Sequence, residues 1–291
     1  MPELSRRSLP LLLLAACVSN RAGAQLPLRL QDRFFLTSDG VRLHYLEAGP
    51  PTAHTIVFVP GWTMPAWIWG PQVAAFAPYY RVVAFDPRGQ GESQRAATGY
   101  TPSRRGADIG ELIARLGPAP VTIVGWSLGV LDTLAYVHMS GDAAIAGLVL
   151  VDNSVGEAPP PVAHKRTSPS LPLAHPLFMQ RFVRGMFRQP QPEDYLERLT
   201  AASLRTPESA CRALLAYPVP RSYWREAIYS TDKPVLYVVR PGLAAQAANL
   251  ERNRPNTESV VFAEAGHALF VDEPRRFDAL LASFLHRQVW P

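Results

Sequence analysis

The sequence predicts an α/β fold, in which a mostly parallel, doubly wound sheet is covered by helices and carries an inserted helical cap. Two patterns lead to this prediction. Short runs that are apolar at every position alternate with segments of helical spacing, and such runs are typical of strands buried on both faces of a parallel sheet. The alternation is interrupted between residues 155 and 232, where prolines and helical segments replace the strands. We therefore predict a cap at 155–232 that divides the core into residues 25–154 and 233–291.

The individual strands and helices follow from the spacing of apolar residues. Strands are predicted at 32–36, 41–47, 55–59, 81–85, 121–125, 147–151, 235–239 and 259–262. Helices are predicted in the core near 66–77, 101–116, 128–139 and 274–287, and in the cap at 176–188, 192–202 and 207–216. A chain of 291 residues is long enough to build one such domain.

Residues 1–24 are predicted to be an export signal. Arg6 and Arg7 precede a short apolar run, 9–18, which cannot cross a bilayer because a spanning helix needs about 20 residues. The small residues up to Ala24 fit one cleavage site, but the residues before Cys17 resemble a lipobox, which would make Cys17 the lipidated first residue. Both processing routes stay open. We therefore expect an exported protein of the periplasm or cell envelope, a lipoprotein if Cys17 is processed, with no other membrane attachment.

The composition is that of a globular protein, with 47% hydrophobic and 18% charged residues. The net charge of +5 comes from arginines scattered along the chain, so a stripe suited to nucleic acid is not predicted. The sequence has neither a histidine pair nor a cysteine cluster with metal-ligand spacing, and no glycine-rich nucleotide loop follows a strand. We therefore expect a small-molecule substrate and no metal or cofactor. The oligomeric state is not predicted.

The segment Gly125-Trp126-Ser127-Leu128-Gly129 lies directly between a predicted strand and a predicted helix. A sharp turn at this place lifts a serine hydroxyl above the sheet, and the two glycines leave room for the tight backbone. A serine hydroxyl is a poor nucleophile unless a base takes its proton. His267 is the one histidine on a loop after a late strand and before the closing helix. Ser127 is therefore the predicted nucleophile, and His267 is the predicted general base.

Four segments together resemble the α/β-hydrolase family, and in particular its esterase and haloperoxidase-like members. They are 59–62 (Val-Pro-Gly-Trp), 86–93 (Asp-Pro-Arg-Gly-Gln-Gly-Glu-Ser), 125–129 and 266–270 (Gly-His-Ala-Leu-Phe). The resemblance extends over nearly all of residues 30–288. It implies an oxyanion loop after the third strand, in which the amide of Trp62 joins that of Leu128 as a donor. Pro60 stands where many relatives have a histidine, which removes a polar support of this loop.

The acid that would orient His267 does not stand in its usual place. Family members commonly carry it after the strand that follows the cap, but here that strand continues as Arg240-Pro-Gly. Other members carry the acid after the preceding core strand, and this resemblance points to Asp152. Glu264 is a second candidate, and a serine–histidine dyad without an acid is a third. In a serine protease, loss of this acid lowers kcat by about 10⁴.

These residues predict acyl transfer from an ester-like carbonyl, in a carboxylic ester or a lactone, to water. Carbon–carbon bond hydrolysis and cofactor-free haloperoxidase or perhydrolase chemistry stay open as alternatives on the same fold. A non-catalytic ligand-binding protein is the alternative from another class. A serine nucleophile argues against epoxide hydrolases and haloalkane dehalogenases, which have aspartate there. An apolar substrate pocket is predicted from Trp67, Trp69, Trp126, Phe178 and Met179.

Overall fold

The computed structural model describes residues 30–161 and 172–291. The predicted export signal, with both of its processing sites and Cys17, lies outside the described residues. A short part of the predicted cap, 162–171, lies outside them as well.

Within the described residues, eight strands form a single sheet in the order β1-β2-β4-β3-β5-β6-β7-β8. The strands are β1 (Gln31–Leu36), β2 (Arg42–Ala48), β3 (Thr55–Val59), β4 (Arg81–Asp86), β5 (Val121–Trp126), β6 (Ile145–Val151), β7 (Val235–Val239) and β8 (Thr257–Val261). β2 runs antiparallel to both of its neighbours, and β3 to β8 are parallel. Every residue of β3, β5 and β7 is buried. The predicted mostly parallel sheet, covered on both faces, is therefore confirmed.

Ten α-helices in the described part of the chain cover the sheet or form the cap. They are α1 (Gly70–Phe76), α2 (Pro102–Leu116), α3 (Leu128–Ser140), α4 (Pro176–Gly185), α5 (Glu193–Ser203), α6 (Glu208–Leu214), α7 (Arg221–Tyr229), α8 (Ala244–Asn253), α9 (Leu269–Asp272) and α10 (Pro274–Phe284). α2 packs against α3, and α1 packs against α10. Helices α4 to α7 lie between β6 and β7 in the chain, so the inserted helical cap is confirmed. None of the described helices has both the length and the apolar composition to cross a membrane.

Some helices differ from the prediction. The segment predicted as one helix at 66–77 is a 3-10 turn, Ala66–Trp69, followed by α1, because Gly70-Pro71 begins a new helix. The closing helix ends at Phe284 and continues as a π-turn, Leu285–Val289. Helices α7, α8 and α9 were not predicted. α9 is a single turn, too short to give an apolar period.

The carboxyl ends of four neighbouring strands meet at one edge of the sheet. Paired residues there are Val59 with Gly125, Trp126 with Val151, and Val151 with Val238. β3 has β4 on one side and β5 on the other, so the strand order reverses at this place. Crevices outside the carboxyl ends of strands at such a reversal are the usual ligand sites of open α/β sheets. The loops after β3, β5, β6 and β7 are therefore the place to look for chemistry.

Candidate active site

Ser127 occupies the sharp turn that joins β5 to α3. Its backbone has φ 54° and ψ −118°, a conformation that is strained for a residue with a side chain. The flanking glycines make this turn possible. A Cβ added to Gly125 would lie 2.6 Å from the Gly129 carbonyl oxygen, and one added to Gly129 would lie 2.4 Å from the Val59 carbonyl oxygen. The turn thus needs glycine on both sides, and it presents the serine at the N-terminus of α3.

His267 links Ser127 to Asp152 through its two ring nitrogens. The Ser127 hydroxyl donates to His267 Nε2 across 2.8 Å, and His267 Nδ1 donates to Asp152 Oδ2 across 2.6 Å. These roles follow from the carboxylate, which accepts hydrogen bonds when it is ionised and so fixes the proton on Nδ1. Because Nε2 is left unprotonated, it can take the serine proton. The three residues come from loops after β5, β6 and β8.

The Asp152 carboxylate is buried and accepts two further hydrogen bonds, both from Arg240. The Arg240 backbone N–H donates to Oδ1 across 3.0 Å, and Arg240 Nε donates to Oδ2 across 2.5 Å. Burial alone would raise the pKa of this carboxyl. The hydrogen bond from His267, the charge that His267 carries when it is protonated, and the charge of Arg240 outweigh burial, so the Asp152 pKa lies below its ordinary value. Glu264, the other candidate acid, is exposed and pairs with Arg188 instead.

Two backbone amides next to Ser127, in sequence or in space, are candidate oxyanion donors. They belong to Leu128, the first residue of α3, and to Trp62, in the loop after β3. Within the described residues, neither N–H donates to a protein acceptor. The N-terminus of α3 adds a partial positive charge at the same place. Gln90 supplies the polar support that Pro60 lacks, because its buried amide donates to the carbonyls of Gly61 and Met64, each across 2.9 Å.

The Trp62 side chain connects the oxyanion loop to the cap. Its indole Nε1 donates to the Cys211 carbonyl in α6 across 3.1 Å, and its ring meets the Phe182 ring edge to face at 4.9 Å. The Cys211 thiol is itself fully buried, and burial raises its pKa to about 12. A thiol of this kind is a packing group rather than a nucleophile.

The aromatic residues predicted to line a pocket divide into two groups. Trp69 is a correction: it is fully buried in the core, because its ring packs against those of Phe58 in β3 and of Phe270, on which it stacks at 3.8 Å. Trp126 is also buried, and its Nε1 donates to the His267 carbonyl across 2.8 Å. The other three face the cap or belong to it. They are Trp67, half-buried under the Arg198 guanidinium, Phe178, half-buried on α4, and Met179, fully buried beside Thr63.

The cap is fastened to the histidine loop by backbone contacts that the sequence did not reveal. The Ala268 N–H donates to the Met186 carbonyl across 3.0 Å. The Asp272 carboxylate accepts from the Gly266 N–H across 2.7 Å and from the Arg188 N–H across 2.8 Å. Asp272 therefore joins the loop that carries His267 to the chain that leaves α4.

Three residues near the site thus escaped sequence reasoning: Gln90, Arg240 and Asp272. Gln90 lies in the Gly-Gln-Gly part of segment 86–93, and Arg240 lies in the turn after β7, where the expected acid is missing. Both segments stand out in the sequence. Asp272 gave no signal. Among the residues with described positions, no group of three or more His, Cys, Asp or Glu side chains is arranged to hold a metal ion.

Comparison with known proteins agrees with this geometry. The chain is 33% identical over 139 residues to a non-heme chloroperoxidase of Streptomyces lividans, a match that covers 47% of this chain and 49% of that protein. It is 31% identical over 136 residues to a bifunctional esterase/perhydrolase of Acinetobacter calcoaceticus, covering 46% and 48%. Both matches span about half the length of these relatives.

A solved structure gives the same result for the fold. An esterase from Rhodococcus sp. superposes with a TM-score of 0.76, covering 88% of this chain and 99% of that one at 24% identity. The family match itself runs from residue 56 to residue 280 and so includes the parallel strands from β3 to β8, apart from Thr55, together with the described part of the cap and the loops of the site. The chain belongs to the alpha/beta hydrolase family.

Proposed function

We propose that this hydrolase cleaves carboxylic esters or lactones of small molecules through an acyl-enzyme on Ser127. The observation that carries the proposal is the continuous hydrogen-bond chain from Ser127 through His267 to Asp152, with contacts of 2.8 and 2.6 Å. The unpaired amides of Trp62 and Leu128 support it, since acyl transfer develops negative charge on a carbonyl oxygen. The similarity to a bifunctional esterase/perhydrolase supports an ester as the substrate.

Acylation follows from the roles that the contacts assign. His267 Nε2 takes the hydroxyl proton as Ser127 Oγ bonds to the substrate carbonyl carbon, and the carbonyl electron pair moves onto oxygen. The amides of Trp62 and Leu128 donate to that oxyanion, and each such donor is worth about 3 kcal/mol. Asp152 stabilises the imidazolium that forms. The tetrahedral intermediate then expels the alcohol oxygen, which receives its proton from His267, and the acyl group stays on Ser127.

Deacylation repeats these steps with water in place of the serine. His267 takes a proton from water, the resulting hydroxide attacks the acyl carbon, and the bond to Ser127 Oγ breaks as His267 returns the proton. Hydrogen peroxide can replace water in this step and would release a peracid. The relatives that are a chloroperoxidase and an esterase/perhydrolase favour this second reaction as a companion activity of the same site.

The test is hydrolysis of p-nitrophenyl esters of graded chain length and of simple lactones, with and without added hydrogen peroxide. Ser127→Ala is compared with Ser140→Ala, a matched change at the exposed far end of the same helix. We expect Ser127→Ala to lose activity by at least about 10³-fold, whereas Ser140→Ala keeps it. Intact-protein mass spectrometry of the acylated wild type should show an added acyl mass that Ser127→Ala lacks.

Two outcomes would contradict the proposal. If Ser127→Ala hydrolyses esters as fast as the wild type, another group is the nucleophile. If the folded wild type turns over no ester or lactone, the site serves carbon–carbon bond hydrolysis or ligand binding, and activity on β-diketones or calorimetric binding would then distinguish those two.

A further inference from the structure

Arg240 stands in the turn after β7, the place where the family resemblance leads one to expect an acid. Its side chain instead reaches back to β6 and donates from Nε to Asp152 Oδ2 across 2.5 Å, while its backbone N–H donates to Oδ1 across 3.0 Å. Among described residues, only His267 and Arg240 donate hydrogen bonds to this carboxylate. The acid that follows β6 is thus held by the cation that follows β7, the neighbouring strand.

We propose that Arg240 is a positioning residue that orients the Asp152 carboxylate and keeps His267 in its neutral, proton-accepting form at lower pH. The proposal rests on the proposed function, because it concerns the same serine, histidine and aspartate. It goes further in assigning to a residue outside that set the control of the pH range in which the base is available.

The geometry of Oδ2 supports this role. One oxygen accepts both the His267 Nδ1–H across 2.6 Å and the Arg240 Nε–H across 2.5 Å, so the carboxylate charge is shared between two donors. A protonated His267 would then lie close to a permanent positive charge, bridged by a single oxygen. Because like charges repel, the positive charge of Arg240 disfavours the protonation of His267. The Arg240 side chain is 44% exposed, which weakens the effect through solvent without removing it.

The other charged or titratable groups near Asp152 have partners other than its carboxylate. On the cap, Arg188 is engaged with Glu264 and with the Ala263 carbonyl. Asp272 is occupied by backbone N–H groups of the histidine loop and the cap. In β7, burial raises the pKa of Tyr237, so the phenol stays neutral; its hydroxyl donates to the Asn153 carbonyl. Arg240 is therefore the cation in contact with Asp152.

Three substitutions of Arg240 separate its charge from its hydrogen bond. Arg240→Gln places a neutral N–H at the same number of bonds from Cα as arginine Nε. Arg240→Met has similar length and no donor. Arg240→Lys keeps the charge. Arg188→Gln is the matched control, because Arg188 lines the same cleft of about 680 Å³ without touching the carboxylate.

The readouts are the pH profile of kcat/KM for ester hydrolysis, the plateau kcat and the urea unfolding midpoint. Removing the positive charge makes protonation of the base easier, so the acid limb should move to higher pH by about 0.5 to 1 unit in Arg240→Gln and Arg240→Met. Arg240→Lys should stay near the wild type. Plateau kcat should fall about tenfold in Arg240→Met, where orientation is lost, and less than about threefold in Arg240→Gln.

Several results would overturn the proposal. If the acid limb of the pH profile does not move in Arg240→Gln and Arg240→Met, Arg240 forms only a structural ion pair. The same conclusion follows if the loss of kcat in these variants merely parallels the loss of stability measured by the unfolding midpoint. A shift in Arg188→Gln as large as in Arg240→Gln shows a general effect of surface charge.

A second measurement keeps this test independent of the reaction. The titration midpoint of the His267 ring signals, followed by NMR in the full chain and assigned with His267→Gln, should rise in Arg240→Gln whether or not any ester is turned over. A raised midpoint without turnover would support the role of Arg240 and reject the proposed function. An unchanged midpoint with normal turnover would support the proposed function and reject the role of Arg240.

Discussion

Gly266, the residue before His267, is pressed against the cap so closely that no side chain fits. A Cβ at this position would lie 2.5 Å from the Met186 carbonyl oxygen, 2.7 Å from the Arg188 nitrogen and 2.8 Å from the Phe187 carbonyl carbon. All three are backbone atoms, so the clash cannot be relieved by rotating a side chain. The φ of Gly266 lies outside the left-handed region, so an alanine there suffers only from the contact.

Gly266→Ala should therefore push the cap and the histidine loop apart. Overpacking of this kind costs about 1 to 3 kcal/mol. The Ala268-to-Met186 hydrogen bond, now 3.0 Å, would be weakened as well, at about 1 kcal/mol. We expect the free energy of unfolding to fall by about 2 to 4 kcal/mol. Displacement of the adjacent His267 should lower kcat/KM for ester hydrolysis by about 10²-fold.

Urea unfolding followed by tryptophan fluorescence, together with ester hydrolysis, measures both effects. Gly185→Ala is the control, because a Cβ at the end of α4 meets no heavy atom within 4 Å. It should unfold at the same urea concentration as the wild type, or slightly higher, since alanine favours helix over glycine. Gly266→Ala with the stability and activity of the control would refute the claim that this contact positions the histidine.

Two further predictions concern carboxylates. Asp152→Asn should lower kcat by about 10⁴ and should also lower the unfolding midpoint, because asparagine tolerates the backbone φ of 51° but loses the ion pairs with His267 and Arg240; an unchanged kcat would mean that Ser127 and His267 act without an acid. Asp39 has its pKa lowered to about 2, chiefly by its hydrogen bond with Arg88, so its contribution to stability is present above about pH 4 and is lost as the pH falls toward 2. After a discount for its partial exposure, Asp39→Asn should be about 1 kcal/mol less stable than the wild type at pH 7, with the difference disappearing toward pH 2 in denaturant titrations; a difference independent of pH would contradict this.

The sheet could be predicted from the sequence because its strands leave a local signal. Segments such as Val121–Trp126 and Val235–Val239 are apolar at nearly every position, which is needed only where both faces are covered. The strained turn at Ser127 also has a local signal, its two glycines. Asp152 could be proposed from chain order, and the structure places its carboxylate beside His267.

What could not be predicted depends on contacts between distant parts of the chain. Arg240 and Asp152 are 88 residues apart, and nothing near either one announces the other. Gln90 and the oxyanion loop that it supports are also distant in sequence, as are Asp272 and the cap, and no local pattern predicts either contact. Trp67 and Trp69 are two residues apart, yet one faces the cap and the other is buried in the core. Which of the two tryptophans is buried in the core depends on the 3-10 turn that carries them, and this cannot be predicted from the presence of aromatic residues in the sequence.

The order of the site residues along the chain has a consequence for biosynthesis. Translation proceeds from the N-terminus, so Ser127 is made first, Asp152 second and His267 last. A chain released after β7 would contain Ser127 and Asp152 but not His267. On the proposed mechanism, such truncated products, and nascent chains still on the ribosome, would lack the base that activates the serine. On the proposed mechanism, the serine is activated only once the histidine loop has emerged and docked against the sheet.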